Sequence, residues 1–430
     1  MSVMLIGTAA IDITPQVGAE LCGFLARVQP SVDVHDRLAA RALYLESGND
    51  RLLWLHADLI GFDREFVAEV TKAIADRFDL RPDCVVMSAT HTHSGPATIR
   101  LINCGTYDSA YLADLKERLL DIAAGATLDP EPAELVVAEG RCDVAVDRRG
   151  KPTKHADPRV GVVGWRRADG DFIAVLANYP IHHVALRADN RSISADMAGR
   201  AAATISDRLP GRPNVLFTNG ACGNLNPPAV TSEFIQHTAG PGFDQMQQWG
   251  DRMAEAVVAA IGSASASEDE RLAAAMTTFD LQLDRFSAED VERKARDLLA
   301  AMEGQTGYVP DRYRDAIGQW QNLAGRYVSR PKAGFSVPLA VQIVRIGPVV
   351  FACLGAEVFS LMADELRARA AGPLYVVGYA NGDTGYLAPQ SAYDEGGYEI
   401  DSAFAFYGGL PVRRGQFERL RDYIIASCGT

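Results

Sequence analysis

Several features are missing from this sequence, and each absence narrows the reading. Its seven cysteines (Cys22, Cys84, Cys104, Cys142, Cys222, Cys353 and Cys428) are odd in number and never stand as Cys-x-x-Cys. That spacing excludes a zinc-thiolate site and a disulfide framework, and suits scattered core thiols in a reducing compartment. No apolar run approaches the roughly 18 residues that a membrane span needs. Met1 to Pro15 has no basic start and reaches Asp12 before any useful apolar segment, so neither membrane insertion nor a signal peptide is expected, and the default location is cytoplasmic. Positive charge is also short: 42 Lys and Arg stand against 55 Asp and Glu, a net charge of −13. An acidic chain of this kind has no electrostatic footprint for nucleic acid or for an anionic membrane surface. Internal repeats and extended low-complexity tracts are absent as well.

What remains is 48% hydrophobic and 23% charged over 430 residues, the profile of a folded globular protein. Apolar runs alternate with helical-period stretches, the pattern of an α/β protein. Strands are expected at Leu52–Leu55, Cys84–Met87, Leu135–Val146, Val160–Trp165, Phe172–Asn178, Val215–Thr218, Val337–Ile346 and Val349–Leu354. Helices are expected at Arg64–Arg77, Tyr111–Ala124, Ala195–Leu209, Ala288–Met302 and Asp311–Ala324. The small, polar stretch over 262–269 is the best candidate for an internal linker.

Polar residues collect after four of these strands, where α/β proteins keep their working groups. The first cluster is Ser88-Ala89-Thr90-His91-Thr92-His93-Ser94-Gly95-Pro96. Residues two apart in extended backbone share a face, so His91 and His93 read as two metal ligands, as a ligand plus an acid/base, or as two hydrogen-bonded loop histidines. The second is Asn178-Tyr179-Pro180-Ile181-His182-His183 with Ser194-Ala195-Asp196. There at most one of the adjacent histidines is a ligand, and Asp196 reads equally as a first-turn helix acid. The third, Thr218 to Pro228, is a rigid loop whose amides and carboxamides suit a polar substrate or simply a turn. In the fourth, Gly355-Ala356-Glu357 and Gly378 to Tyr386 each end an apolar strand. A carboxylate at Glu357 needs a cation, or an arginine such as Arg367, or a helix to cap.

In this order the segments resemble the neutral (non-lysosomal, also called alkaline) ceramidase family, zinc amidohydrolases that cleave the amide of N-acylsphingosine. The resemblance begins at Ala10-Ile11-Asp12-Ile13-Thr14-Pro15 and runs through the His-Thr-His-Ser-Gly-Pro motif, Asp147-Arg148-Arg149, Asn178 to His182, Ser194-Ala195-Asp196, Gly223 to Pro227 and Gly355-Ala356-Glu357. It ends with Gly378 to Tyr386 and Tyr398-Glu399. It implies a mixed-sheet α/β catalytic domain over 1–430, without the family's C-terminal immunoglobulin-like domain. It also implies one Zn²⁺ per chain held by His91, His182, Glu357 and Tyr386, with His93 as proton shuttle. Arg148 and Tyr398 would hold the substrate and stabilise the oxyanion. Two imidazoles and a carboxylate suit zinc, and a zinc site with an open position yields a water of lowered pKa.

Asn224 and Asn226 stand where the characterised ceramidases carry Asp and Ser, and are expected on the substrate side. The function expected is therefore hydrolysis of an N-acyl bond in a small molecule that is smaller or more polar than ceramide. The alternatives are hydrolysis of an ester or of a glycosidic or cyclic small molecule, or a zinc-containing binding protein without catalysis.

Overall fold

The apolar runs form strands covered on both faces. Leu52, Leu53, Trp54 and Leu55 are fully buried, and so is every residue of Phe172–Tyr179, so neither run shows the alternation of a one-sided sheet. The computed structural model describes residues 4–150, 156–228, 230, 240–304, 306–329 and 334–428.

Three sheets carry the fold, and each repeats one order of elements. The first joins Leu5–Asp12, Ala39–Ser47 and Asp50–Ala57 antiparallel. Its chain then passes through the helix Arg64–Phe78 and returns as Val85–Ala89, parallel to Asp50–Ala57. The second does the same with Glu134–Arg141, Arg159–Arg166 and Phe172–Tyr179, the helix Asp196–Arg208 and the parallel strand Asn214–Asn219. The third repeats it with Leu272–Gln282, Ser336–Ile346 and Val349–Leu354, the helix Leu361–Arg367 and the parallel strand Leu374–Val377. Longer helices, Ser109–Leu128, Gly242–Gly262 and Gln416–Cys428, follow the three units in turn.

The expectation of no internal repeat is thus corrected at the level of topology. The repetition depends on where strands turn and cross over, and not on residue identity. An insertion in the third unit, carrying the helices Ala288–Ala300 and Tyr308–Val328, also spoils any fixed period.

The three sheets share a central core in which Leu45, Trp54, Trp165, Leu216, Phe351 and Val377 pack together, and the Trp54 ring meets Phe351 edge-on at 5.5 Å. Helices cover the outer faces, as in the packing of Ile74 and Leu119 on Leu53 and Val85. The mixed α/β architecture expected from the sequence is therefore present. The segment 262–269 lies along the edge of the second sheet, where Ser267 N–H donates to Leu135 O at 2.7 Å and Ala266 bridges Val136. The single strand expected over 135–146 is two pieces, Glu134–Arg141 and Val146–Asp147. No helix among the described residues is long and apolar enough to cross a membrane.

Candidate metal centre

In all three sheets the parallel pair runs toward the same place. Asn381 N–H donates to Met87 O at 2.7 Å and Gly378 N–H to Asn219 O at 3.0 Å, while Asn219 Nδ2 donates to Thr90 O at 3.2 Å. These bonds stitch the carboxyl ends of the three pairs to one another. His91 follows Val85–Ala89, His182 follows Phe172–Tyr179 and Glu357 follows Val349–Leu354. Glu357 and Tyr386 are register partners in a short parallel pair of strands, Glu357–Val358 with Tyr386–Leu387. A second short pair, Leu225–Asn226 with Val146–Asp147, brings Arg148 alongside.

One ligand atom each from His91, His182 and Glu357 lies within 4.8 Å of the others, and all three side chains are buried. His182 Nε2 is 2.9 Å and His91 Nε2 is 3.5 Å from Glu357 Oε2. On the far side of each ring, His91 Nδ1 is 2.6 Å from Ile60 O, and His182 Nδ1 is 2.8 Å from Cys222 O. A carbonyl only accepts, so both Nδ1 atoms carry the proton, and both Nε2 lone pairs face a carboxylate oxygen. Burial, together with Arg148, pushes the His182 imidazole down to about 4, so a proton on Nε2 does not resolve the contact at neutral pH. Three electron-rich atoms converge where a cation belongs, and tying the distal nitrogens to carbonyls is how proteins orient metal-binding imidazoles.

Glu357 is clamped from both sides: Tyr407 OH donates to Oε1, and Tyr379 OH donates to Oε2 at 3.2 Å. Burial opposes its ionisation, and with both imidazole lone pairs turned toward it the carboxylate calls for a cation. Arg367, the alternative partner, pairs with Asp157 and Asp364 instead. Tyr386 OH is 3.5 Å from His182 Nε2 and accepts from Arg148 Nη2 at 3.1 Å. Burial and Glu357 keep that phenol well above its ordinary value, with Arg148 pulling the other way.

His93 stands outside the three-ligand group, with its Nε2 3.1 Å from His91 Nε2. Since His91 presents a lone pair there, His93 Nε2 carries the donated proton. Its neighbour His183 turns away from the centre, its ring against Phe217 at 6.3 Å. The Asp196 carboxylate accepts from Leu186 N–H at 3.0 Å and Met197 N–H at 2.7 Å, which makes it the anchor of the loop after His183.

Arg148 donates Nε to Glu399 Oε1 at 2.8 Å, Nη1 to Asn226 Oδ1 at 3.2 Å, and Nη2 to Gly223 O at 2.9 Å as well as to Tyr386. Arg149 holds the other Glu399 oxygen at 2.6 Å. Tyr398 packs edge-on against Tyr386 at 5.7 Å. Asn224 and Asn226 are turned toward the protein. Asn224 accepts from Ser360 N–H at 2.8 Å and donates to Asp147 at 2.9 Å, while Asn226 donates to Val230 O at 3.0 Å and accepts from Arg148.

Tyr379, Asp383, Glu399 and Tyr407 are at the site without having been assigned to it from the sequence. Tyr379 and Asp383 lie inside a loop already noted as polar; Tyr407 sits in the apolar Phe404-Ala405-Phe406 run and gave no signal. His91 (φ +63°) and Tyr379 (φ +52°) both occupy the left-handed region, and their rings stack at 3.9 Å. Strained backbone of this kind concentrates at functional sites.

Residues 4–129 match the family described as neutral/alkaline non-lysosomal ceramidase, N-terminal. Over that stretch the chain is similar to the neutral ceramidases. It is 22% identical to the neutral ceramidase of Pseudomonas aeruginosa over 461 aligned positions, covering 91% of this chain and 68% of that protein. Neutral ceramidase A of Dictyostelium discoideum is 25% identical over 221 residues, 46% of this chain, so the match spans only 31% of that relative's length. The fold is that of the crystal structure of the P. aeruginosa neutral ceramidase, with a TM-score of 0.75 at 17% identity, over 99% of this chain and 75% of that one. A structure described as ceramidase complexed with C2 aligns with a TM-score of 0.73 at 16% identity over the whole of this chain and 75% of that one. The buried His91, His182 and Glu357 cluster thus sits on a fold like that of the P. aeruginosa neutral ceramidase.

Proposed function

We propose that the chain works as one catalytic unit, a zinc-dependent hydrolase that cleaves an N-acyl amide in a small molecule. The observation that carries this reading is the convergence of two imidazole lone pairs and a carboxylate oxygen within 4.8 Å, with both Nδ1 protons spent on carbonyls. His91, His182 and Glu357 would hold one Zn²⁺, and the phenol of Tyr386 lies close enough to join them. Zinc bound there supplies Lewis acidity toward an acyl carbonyl and lowers the pKa of water.

The chain's own residues do the rest. His93, neutral because burial and then His91 and His182 hold it well below its ordinary range, takes up a proton at a ring nitrogen and delivers one to the departing amine. Of the five N–H groups of a guanidinium, Arg148 commits four to the protein. The remaining Nη1 N–H of Arg148, together with Tyr398, would serve substrate and a developing oxyanion. Asn224 and Asn226 act by holding the loop and Arg148, while Glu399 locks the guanidinium.

A cavity of about 210 Å³ adjoins the site, with Asp383, Tyr386 and Tyr407 at one end and Leu283, Val337 and Phe404 in its wall. Ordinary ligand pockets run from about 300 Å³ upward, so the space favours a substrate smaller than a long-chain ceramide. A cytoplasmic location suits the six described cysteines, all free and buried.

The test has two arms. Metal analysis should find about one zinc per chain; His91→Ala, His182→Ala or Glu357→Ala should each greatly weaken binding, and Tyr386→Phe less so. Full zinc in two of the three alanine variants would refute the ligand set. The loaded protein is then assayed on soluble N-acyl amines, N-acyl amino acids, the matching esters, and short- and long-chain ceramide in detergent. Turnover of long-chain ceramide with kcat/KM above about 10⁴ M⁻¹s⁻¹, the lower edge of ordinary enzymes, would overturn the size argument. Zinc without turnover of any member would favour a binding protein.

A further inference from the structure

His93 is buried, yet its Nδ1 has no hydrogen-bond partner among the described residues. An acid/base histidine is usually aimed by a carboxylate or carbonyl on its second nitrogen, and here something else must hold the ring. The segment Cys22–Arg27 lies directly against it. Gly23 has φ +105°, and a Cβ placed on it would stand 2.3 Å from His93 Nδ1 and 2.6 Å from Cγ. The imidazole therefore rests on the bare Cα of Gly23, a close approach that only glycine permits. Phe24 closes one side with its ring 4.9 Å from the imidazole, tilted by 59°.

Arg27 completes the holder. Its Nη1 donates to His93 O and, at 3.3 Å, to Cys22 O, and its Nη2 donates to Arg187 O at 2.8 Å. The guanidinium also lies over the Phe24 ring, 5.0 Å from its centroid. One buried cation thus joins three carbonyls, from the segment itself, from the residue it supports, and from the loop that follows His182 and His183. Burial draws the Arg27 pKa down to about 10. The segment is anchored independently, since Cys22 N–H donates to Gly95 O at 2.8 Å and Gly23 N–H to Cys104 O at 3.1 Å.

We infer that Gly23, Phe24 and Arg27 are positioning residues that set the place of the His93 imidazole, Gly23 and Phe24 through the ring and Arg27 through the backbone. The inference rests on the acid/base role proposed for His93, but the geometry it claims can be read without turnover.

The experiment uses the zinc-loaded full chain labelled with [¹³Cε1]-histidine. Gly23→Ala is compared with Phe24→Leu, with Arg27→Lys, and with Gly170→Ala. Gly170 is a control for backbone strain: its φ is +97° and nothing lies near its absent Cβ. The His93 resonance, assigned by its loss in His93→Ala, is expected to move in Gly23→Ala, Phe24→Leu and Arg27→Lys and to stay in place in Gly170→Ala. The His91 and His182 resonances and the zinc content should be unchanged throughout. On a substrate found by the panel above, kcat should fall roughly 10- to 100-fold in Gly23→Ala with KM unaltered, the scale of a misplacement of about 1 Å. The double variant Gly23→Ala/His93→Ala should be no slower than His93→Ala alone.

A His93 resonance unmoved in all three variants would overturn the inference, as would a further tenfold loss in the double variant. A moved resonance with no activity on any substrate would uphold the positioning and count against the proposed function.

Discussion

Removing the Glu399 carboxylate should cost more stability than removing the arginine it serves. Glu399 is 1% exposed and lies between two guanidiniums, those of Arg148 and Arg149, each 6% exposed. In Glu399→Gln a carboxamide replaces the carboxylate and presents one acceptor and one donor face. One of the two cations then meets an N–H₂ group, and Arg148 loses its counter-charge while Arg149 keeps only Glu395 at 3.4 Å. Breaking a buried ion pair by deleting one partner costs about 3–5 kcal/mol, because a charge is left uncompensated. In Arg148→Ala, by contrast, Glu399 keeps Arg149 at 2.6 Å. What is lost is the satisfaction of Gly223 O and Asn226 Oδ1, about 1–3 kcal/mol for buried polar groups left without partners.

Urea unfolding of the metal-free proteins, with m-values checked for constancy, should therefore rank Glu399→Gln below Arg148→Ala in midpoint. The order of activity should be the reverse of a simple stability effect, since Arg148→Ala, although more stable, loses a donor to the oxyanion. If Glu399→Gln proves the more stable variant, the carboxylate is not compensating two buried charges and the account of the cluster fails.

Other outcomes follow from the same geometry. His93→Ala should keep its zinc and lose roughly 10²- to 10⁴-fold in kcat, the usual scale for a general acid/base; loss of the metal instead would make His93 a ligand. In the metal-free protein, burial holds His56 and His183 at about 3 and His182 at about 4, and keeps His93 well below its ordinary value. Unfolding between pH 6.5 and 4 therefore takes up protons, and stability should fall as pH drops through that window. Asp196 and Asp383, which burial raises to about 7, work the other way and reduce the slope. A urea midpoint as high at pH 5 as at pH 7 would contradict this balance.

Much of the site was legible because its residues announce themselves at strand ends. His91 and His93, His182, and the Gly355-Ala356-Glu357 turn each follow a continuous apolar run, and a polar group at that point has either a cavity or a partner. Elements that had to be read from weaker patterns were missed. Leu5–Asp12 has Gly7, Ala9 and Ala10 among its eight residues, and these poor strand formers dilute the signal of Ile6, Thr8 and Ile11. The run Ala39–Ser47, with three Ala and two Leu among its nine residues, favours a helix by intrinsic propensity, and its burial between two strands overrides that. Tyr407 gave no local signal, and Glu399 stood only within the resembling Tyr398-Glu399 pair, with no role attached to it. Their roles exist only once the Gly397–Gly409 region folds back over Glu357 and Arg148, and no local spacing records such a contact. Asn224 and Asn226 do lie beside the site, where their carboxamides bond to Ser360, Asp147, Val230 and Arg148.

The threefold topology explains why the proposed ligands come from such distant parts of the chain. His182 and Glu357 each stand three residues beyond the third strand of their unit, and His91 and Tyr379 each stand two residues beyond the fourth. The position in the first unit equivalent to His182 and Glu357 is Ile60, and its carbonyl is the acceptor that orients His91 Nδ1. Equivalent places are thus used either as ligands or as supports for ligands. Tyr379, stacked on His91 and bonded to Glu357 Oε2, is a support of this second kind. Its ring and its hydroxyl can be separated by mutation. Tyr379→Phe keeps the stacked face and removes one donor to Glu357, whose other oxygen still has Tyr407, so zinc affinity should fall less than about 10-fold. Tyr379→Ala also frees the His91 ring on the side away from Ile60, and loss of an orienting neighbour of a metal ligand typically costs about 10- to 100-fold in affinity. Competition against a fluorescent zinc chelator at pH 7 would resolve the two. Equal losses in the Phe and Ala variants would mean that the hydroxyl, and not the stacked ring, holds the site together.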